Sequence, residues 1–573
     1  MGLSLSAEQK KLTQLFDKTN TYIIPSYQRP YSWGEKECSE LWEDLKFRFD
    51  DDSSDEYFLG NIVLAKSNQN DVIEVIDGQQ RLITLTILLK VLFLFDKDND
   101  YLEEAIWNKD RRDKTKKSPR LTTRVFEDND NQNFKKVLEY TQEQIKNIDT
   151  KIANQFEENM KLFYKKLIDS TEMKSKDIPS FGDFLLEKVY ILPIQSVDAE
   201  EEKAREKALV IFETINNRGL DLSDADIFKA QLYNSALNQQ KSEDFIEKWT
   251  ELDKLAKAND YTLVDVFRIY THILRGKNRE TGNEIGLRAF FAQDSSEEDG
   301  KKEAKDKLNY IPLRKQNYIN VIKDLNKILI IVDTFNQCIK NEYEEDNPYS
   351  KFSKWFQVID EHTNNYPRFV IFVYLFYNSS IDENQNLILN ENQIDNLLLL
   401  SQNIIRYSYP HTSAMKIKFE IFKIISKIAN GEEYSFADKI EKLTKEDFIS
   451  FRKKDGRKKG FTLLAIYLDK RQKAVYPYDF HTLVTNNNRN SLNDSWKEEY
   501  EIYSNSIGNI LLTDIKRKTQ ALNQRVEAYE KSKVIDLREL STQLNDFTYN
   551  DFKEREERLS SRLEEFFSSD KLW

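Results

Sequence analysis

A short β-branched run and a long apolar run meet at one polar corner near the start of the chain. Val72-Ile73-Glu74-Val75-Ile76 has the composition of a buried strand, and Leu82 to Phe95 is long and apolar enough for a buried helix. Between them stand Asp77-Gly78-Gln79-Gln80-Arg81. Upstream, Tyr22-Ile23-Ile24-Pro25-Ser26-Tyr27-Gln28-Arg29-Pro30-Tyr31-Ser32-Trp33 reads as extended, because Pro25 and Pro30 disfavour helix and restrict the residue before each. A helix follows over Glu35 to Phe49. Downstream, Ala208 to Lys229 reads as a helix ended by Gly219, a turn, and a new helix with Ser223 as N-cap and Asp226 in the capping-box region. Helical spacing recurs over Ser242–Arg275, Tyr318–Lys340, Glu391–Tyr407 and Met415–Asn430, with polar connectors between.

The corner concentrates chemistry. Gly78 lets backbone approach a ligand, the N–H groups of a helix start attract phosphate, and the Arg81 guanidinium matches phosphate oxygens in a two-pronged fork. Tyr27, Tyr31 and Trp33 around Gln28 and Arg29 suit stacking and hydrogen bonding to a base, or equally a half-buried aromatic cluster that pins the N-terminal strand. Glu213, Asn216, Asn217 and Arg218 lie within about one helical turn of each other and can face one site.

In this order and spacing, Pro-Tyr-Gln-Arg-Pro-Tyr-x-Trp analogues at 25–33, Asp77–Arg81 and Phe212–Lys229 resemble the N-terminal domain of GmrSD-type modification-dependent restriction proteins. The resemblance covers roughly residues 1–240. It implies a ParB/sulfiredoxin-like core and an NTP cofactor held by Asp77, Gly78, Gln79, Gln80, Arg81, Glu213, Asn216 and Arg218. It also implies sensing of substrate or modification by Tyr27, Gln28, Arg29, Tyr31 and Trp33. With no G-x-x-x-x-G-K-[ST] element, any NTPase chemistry is of a non-P-loop kind.

Composition narrows the class. The 573 residues suit two to four domains, and 12% aromatic content supplies core material although 32% of residues are charged. Cys38 and Cys338 are the two cysteines, so neither a disulfide framework nor a Cys/His zinc cluster is indicated. Apolar runs such as Leu82–Phe95 and Phe369–Tyr377 are too short or interrupted to span a bilayer, and the expectation is a cytoplasmic protein with no membrane partner. A net charge of −12 argues against uniform nucleic-acid coating but leaves local patches. One patch runs over Lys109, Arg111, Arg112, Lys114, Lys116, Lys117, Arg120 and Arg124; a second comprises Arg452, Lys453, Lys454, Arg457, Lys458 and Lys459. His272, His362 and His411 are scattered, as structural or surface histidines usually are.

His481 has a different setting. It follows a β-like run, Lys473–Phe480, and precedes a polar loop; the strand-like Ile507-Gly508-Asn509-Ile510-Leu511-Leu512 and a helical segment with Asn523 come later. The order resembles the His-Me finger nuclease partner of GmrSD proteins, over roughly residues 450–573. That resemblance implies His481 as general base and a Mg²⁺ or Mn²⁺ ion held by Asn523 and Asp479, with His481, Asn523 and Asp479 as the catalytic set. Phe480 stands where an acidic residue is usual, Val484 where Pro is expected, and Lys518 where another Asn often occurs.

The expected architecture is mixed α/β and predominantly helical: a ParB-like α/β domain at 1–240, a helical connecting domain at 241–450, and a small His-Me finger (ββα) domain at 451–573. The expected function is a nucleotide-responsive, modification-dependent DNA endonuclease restricting phage or foreign DNA, with DNA and nucleotide as partners and homo-oligomerisation left open. The alternative is a nucleotide-gated DNA- or partner-binding defence module with a degenerate nuclease site.

Overall fold

In a computed structural model, residues 5–51, 56–69, 71–109, 117–125, 129–169, 172–216, 223–293, 310–436, 439–449, 451, 455–485, 503–515, 525–569 and 572–573 are described. The chain is mixed α/β, predominantly helical, and divides into two compact units, Met1–Thr250 and Glu251–Trp573.

The first unit is organised by a seven-stranded sheet. Its strands are β1 (Leu5–Ala7), β2 (Lys10–Lys11), β3 (Thr21–Ile24), β4 (Tyr57–Ser67), β5 (Val72–Asp77), β8 (Leu121–Thr123) and β9 (Val189–Asp198). The order is β1-β9-β4-β5-β3-β8, with β2 also on β9; β6 (Trp107–Lys109) and β7 (Lys117–Pro119) form a separate hairpin. Pro193 lies inside β9, where it cannot donate to a ladder. It is tolerated because the neighbouring edge is interrupted there: β1 ends at Ala7 opposite Ile194, and β2 resumes at Lys10 opposite Ile191.

The expected strand and helix on either side of the corner are present as β5 and Gln79–Phe95. The helix is buried nearly all round, from Gln79 to Leu94, against helices Asp100–Ile106, Gln155–Ile168 and Ile178–Lys188. That is why its apolar residues show no single stripe. The upstream helix spans Glu35–Asp50 and buries Cys38, Leu41, Trp42 and Leu45 in the same core.

The second unit is built largely from helices. Tyr318–Lys340, Tyr366–Asn378, Glu391–Ser408 and Ala414–Ala429 fall close to the apolar periodicities. The periodic stretch from Ser242 to Arg275 is two helices, Ser242–Ala258, which begins in the first unit, and Leu263–Lys277. Asp260 takes a positive φ of 60°, and Thr262 caps the second helix by accepting from the Asp265 N–H, a break that apolar spacing does not register. Small hairpins are formed by β10 (Ser380–Ile381) with β11 (Leu387–Ile388) and by β12 (Asp479–Thr482) with β13 (Ile510–Thr513). Among the described residues no helix is long and apolar enough to cross a membrane.

Two strand expectations are corrected here. The run Lys473–Phe480 is not a strand until Asp479, and Pro477, which has no N–H for a ladder, stands just before that start. Ile507–Asn509 is a 3₁₀ turn, with Ser506 accepting from the Gly508 N–H, and only Ile510–Thr513 is extended.

His272 sits inside the second unit, stacked on Phe369 at a centroid distance of 4.2 Å. Burial, helped by Arg275 and Arg268, pushes its imidazole down to about 3. The unfolded chain therefore binds a proton there that the native state does not, so stability is full above the ordinary histidine range and is lost as pH falls from about 6.5 toward 3. In chemical denaturation between pH 6.5 and 5, His272→Phe is expected to lower the pH slope of unfolding free energy by up to about 1.4 kcal/mol per pH unit. An unchanged slope would show that His272 does not titrate on unfolding.

Candidate functional site

The corner at 77–81 turns on a conformation that side chains resist. Gly78 has φ 89° and ψ 11°, and a Cβ there would lie 2.4 Å from Ile62 Cγ2. β5 can thus end against β4 and reverse at once into Gln79–Phe95. With glycine as N-cap, no side chain caps the first turn of that helix.

The two glutamines divide their work. Gln80 is buried, and its Oε1 accepts from the backbone N–H groups of Ser32 (2.8 Å) and Trp33 (3.2 Å) while its Nε2 donates to Pro30 O at 3.1 Å. It clamps the aromatic loop to the helix. Gln79 Nε2 donates to Arg29 O at 3.3 Å, but its Oε1 is buried without a hydrogen-bond partner, as is Arg29 Nε. Asp77 lies in this neighbourhood: burial raises its carboxyl, opposed by the Gly78 N–H and the charges of Arg81 and Arg29. Arg81 Nη1 donates to Asn61 O at 3.0 Å beside Gly60, whose φ is 111°; burial lowers its guanidinium without discharging it. Uncompensated buried polar atoms next to a carboxylate and two guanidiniums are the setting in which a polar ligand gains most from binding.

The aromatic loop is more internal than its composition suggests. Tyr31 stacks on Phe156 at 4.8 Å, shares a 2.7 Å hydroxyl contact with Thr84, accepts from Asn159 and donates its N–H to Asp130 at 2.6 Å. Tyr27 packs on Tyr233 at 4.8 Å, with its hydroxyl buried and unpartnered. Gln28 Nε2 donates to Ile76 O at 3.0 Å, Trp33 is half-buried, and its carbonyl accepts from Asn159. Of this group, Arg29 and Trp33 retain partial exposure. Glu213 and Asn216 end the helix Glu201–Asn216, their side chains outside the described residues, and Arg218 lies outside them altogether. Ser223 is an N-cap as its position predicts, accepting from the Asp226 N–H at 3.2 Å.

Sequence reading missed the ion pair between Glu74 and Arg205, both nearly fully buried: Arg205 Nε donates to Glu74 Oε2 at 2.6 Å and Nη2 to Oε1 at 2.5 Å. Its available signal is a lone carboxylate in an apolar strand run. Arg205, on a helix rich in alternating charge, carries none.

His481 occupies β12, opposite Leu511 of β13. Asp479, two residues earlier and on the same face, brings Oδ2 to 3.6 Å from Nε2; its side chain is 71% exposed and that of His481 14%. Phe480 turns the other way, with Lys459 Nζ 5.4 Å from its ring centroid. Asn509 is fully buried, accepting from the Val484 N–H (2.7 Å) and donating to the Val484 carbonyl (3.0 Å). It ties the end of β12 to the start of β13. Arg555, on helix Tyr549–Ser568, donates to the carbonyls of Ile507, Gly508 and Ile510 and pairs with buried Asp536 at 2.7 Å. Asn523 and Lys518 lie outside the described residues. Among the described residues no group of three or more His, Cys, Asp or Glu is placed to hold a metal.

The basic patches are partly spent on structure. Arg120 is buried and donates to the carbonyls of Asp17, Asn20, Glu104 and Trp107, while Lys109 and Lys117 pair with Glu103. Arg457 pairs with Asp455 and holds the carbonyls of Tyr409 and Pro410. Arg111, Arg112, Lys114, Lys116 and Arg452–Lys454 lie outside the described residues.

The first unit is mixed α/β and carries a polar strand-to-helix corner. Residues 12–233 match the family model for the GmrSD restriction endonuclease, N-terminal domain, and this segment is similar to that domain. A search of curated proteins found no match.

Gly78→Ala is expected to destabilise the first unit by about 1–3 kcal/mol through left-handed strain and the Ile62 clash, read as a lowered melting temperature. Asn509→Ala strands the Val484 N–H and C=O, at about 1–3 kcal/mol each, and faster amide exchange at Val484 and Leu483 should report it.

Proposed function

We propose that the protein is a nucleotide-responsive DNA endonuclease of the restriction type, acting on modified phage or foreign DNA. The reading rests on one observation above the rest: the family match of residues 12–233 coincides with a corner where Asp77, Gln79, Arg81 and Arg29 converge with polar atoms left over. An NTP fits that donor set. Arg81 and Arg29 would neutralise phosphate, Gln79 Oε1 would accept from a ligand hydroxyl or amine, and the first-turn N–H groups would face the anion. Asp77, whose carboxyl burial raises against the opposing Gly78 N–H and the charges of Arg81 and Arg29, would orient a water or a metal-bound ligand. Glu213, Asn216 and Arg218 would complete the site, and Tyr27, Gln28, Tyr31 and Trp33 would couple it to sensing through the Gln80 clamp. In this reading residues 1–240 form a ParB/sulfiredoxin-like sensor, 241–450 a helical connector and 451–573 a His-Me finger-like module.

At the other end, His481 is the general base, taking a proton from the attacking water at its imidazole nitrogen, with the Asp479 carboxylate 3.6 Å from Nε2. Asp479 and Asn523 would hold a Mg²⁺ or Mn²⁺ ion; Asp479 supports this by presenting a largely exposed carboxylate on the histidine's face. When bound, such an ion supplies charge stabilisation at the leaving oxygen. The β12–β13 pair, held by Asn509 and Arg555, keeps His481 in place.

Two measurements test the reading. His481→Ala is expected to reduce metal-dependent cleavage of phage DNA by about 10²–10⁴-fold, and absence of such cleavage by the native protein, with and without nucleotide, would leave the binding-module alternative. Arg81→Ala is expected to weaken NTP binding about 10–100-fold by calorimetry, the worth of a charged hydrogen bond; unchanged affinity would confine Arg81 to its contact with Asn61.

A further inference from the structure

A cavity of about 500 Å³ lies in the second unit, within the size range of common small-molecule pockets. Four lysines line it, Lys351, Lys354, Lys470 and Lys473, against one carboxylate, Glu345, a net side-chain charge of +3. Glu345 is spent on Lys473, with which it pairs where both are exposed. Among the described residues Lys351 and Lys470 are exposed and make no ion pair. Lys354 is half-buried; its Nζ donates to the Tyr467 carbonyl at a long 3.4 Å, and burial pushes its ammonium pKa down. The carboxylate whose charge reaches it, Asp469, is already held by Arg471 and Arg562. Three ammoniums on one cavity are thus left without a counter-charge.

Charge and shape together decide what fits. A cleft lined by one sign of charge focuses the field and concentrates the opposite ion. Lysine serves phosphate as a point charge on a flexible stem, and a phosphate monoester, at about −1.5 to −2 near neutral pH, answers three ammoniums better than a carboxylate with one charge. Much of the remaining lining is aromatic: Trp355 and Tyr467 are buried, whereas Tyr343 and Trp573 are half-buried. Trp355 is fixed by stacking on Phe566 at 6.0 Å, and Trp573 by Gln402, whose Nε2 donates to its O and whose Oε1 accepts from its N–H, each at 2.9 Å. Even a negative charge on the main-chain end of Trp573 would leave the balance positive. Aromatic faces held in place beside cations suit an anion with a flat body, and they accept bases of any kind.

We propose that this cavity holds a phosphate monoester on a flat ring system, the chemistry of a mononucleotide or of a 5′-phosphorylated DNA end, with the phosphate among Lys351, Lys354 and Lys470 and the ring against Tyr343 and Trp573. The site is separate from the corner, which belongs to the first unit. Lys470 and Ala474 lie between helix Lys458–Tyr467 and β12, the strand of His481. Lys354 lies on helix Ser353–Asp360, next to Glu361, which accepts from the Tyr478 hydroxyl at 3.2 Å just ahead of that strand. A bound phosphate would bridge both segments.

Ligand-observed NMR on the full chain with phenyl phosphate, phenol and inorganic phosphate tests the cavity. Phenyl phosphate is expected to bind, and phenol and inorganic phosphate each at least about tenfold more weakly, the worth of a charged hydrogen bond or of one stacked ring. Lys351→Glu combined with Lys470→Glu, both at exposed positions where substitution spares the core, should weaken phenyl phosphate at least about tenfold, whereas Arg81→Ala should leave it unchanged. Failure of phenyl phosphate to bind, equal binding of phenol or of inorganic phosphate, or unchanged affinity in the double variant overturns the proposal. Loss of binding in Arg81→Ala would place the phosphate at the corner and also overturn it. Competition assigns the source: displacement by adenosine 5′-monophosphate supports a free nucleotide, and displacement by a 5′-phosphorylated oligonucleotide but not by its 5′-hydroxyl form supports a DNA end. Displacement by neither, or equally by the 5′-hydroxyl strand, overturns the proposal.

Discussion

The left-handed turn at Gly78 is the constraint on which the first unit depends. Only a residue without Cβ fits here, because a Cβ would lie 2.4 Å from Ile62 Cγ2, and only that turn lets β5 pass directly into a helix buried on nearly every side. Everything polar at the corner follows from this placement. The helix start brings Gln80 under the 30–33 loop and Arg81 against Asn61, while Thr84, one turn on, reaches the Tyr31 hydroxyl. The same short stretch of helix is thus a structural clamp on one side and a set of unsatisfied groups on the other.

The second unit secures His481 in a comparable way, with buried side chains bonding to backbone. Asn509 saturates both backbone groups of Val484, and Arg555 collects three carbonyls around the 3₁₀ turn before β13. A two-stranded sheet is marginal by itself, so register at His481 depends on these bonds. Asp536 keeps the Arg555 charge compensated; a lone guanidinium at that depth would cost several kcal/mol.

Among the described residues, several buried basic side chains are used for construction. Arg120, Arg457, Arg555 and Arg205 each satisfy buried carbonyls or a carboxylate, and Lys109 and Lys117 share Glu103. Counting basic residues along the chain therefore overstates the surface open to phosphate. Around the corner, the groups that stand out chemically are Gln79 Oε1, Arg29 Nε and the Tyr27 hydroxyl, each buried with a bond left unmade.

The sequence by itself determined the local elements whose signal is local. The β5-to-helix corner, the Glu35 helix, the Ser223 cap and the long helices of the second unit were legible because turn chemistry, capping and apolar period act over a few residues. It misread Lys473–Phe480 and Ile507–Asn509, where apolar composition mimics a strand but a proline without an N–H and a serine-capped turn prevent one. Only the tertiary structure decided which members of a motif face inward. Gln79 and Gln80 are neighbours of one kind, yet Gln80 is consumed by three backbone groups and Gln79 keeps an oxygen free. Only it, too, could join Glu74 to Arg205, 131 residues apart, because a buried ion pair is chosen by the packing that excludes water around it and leaves no periodic trace in the chain.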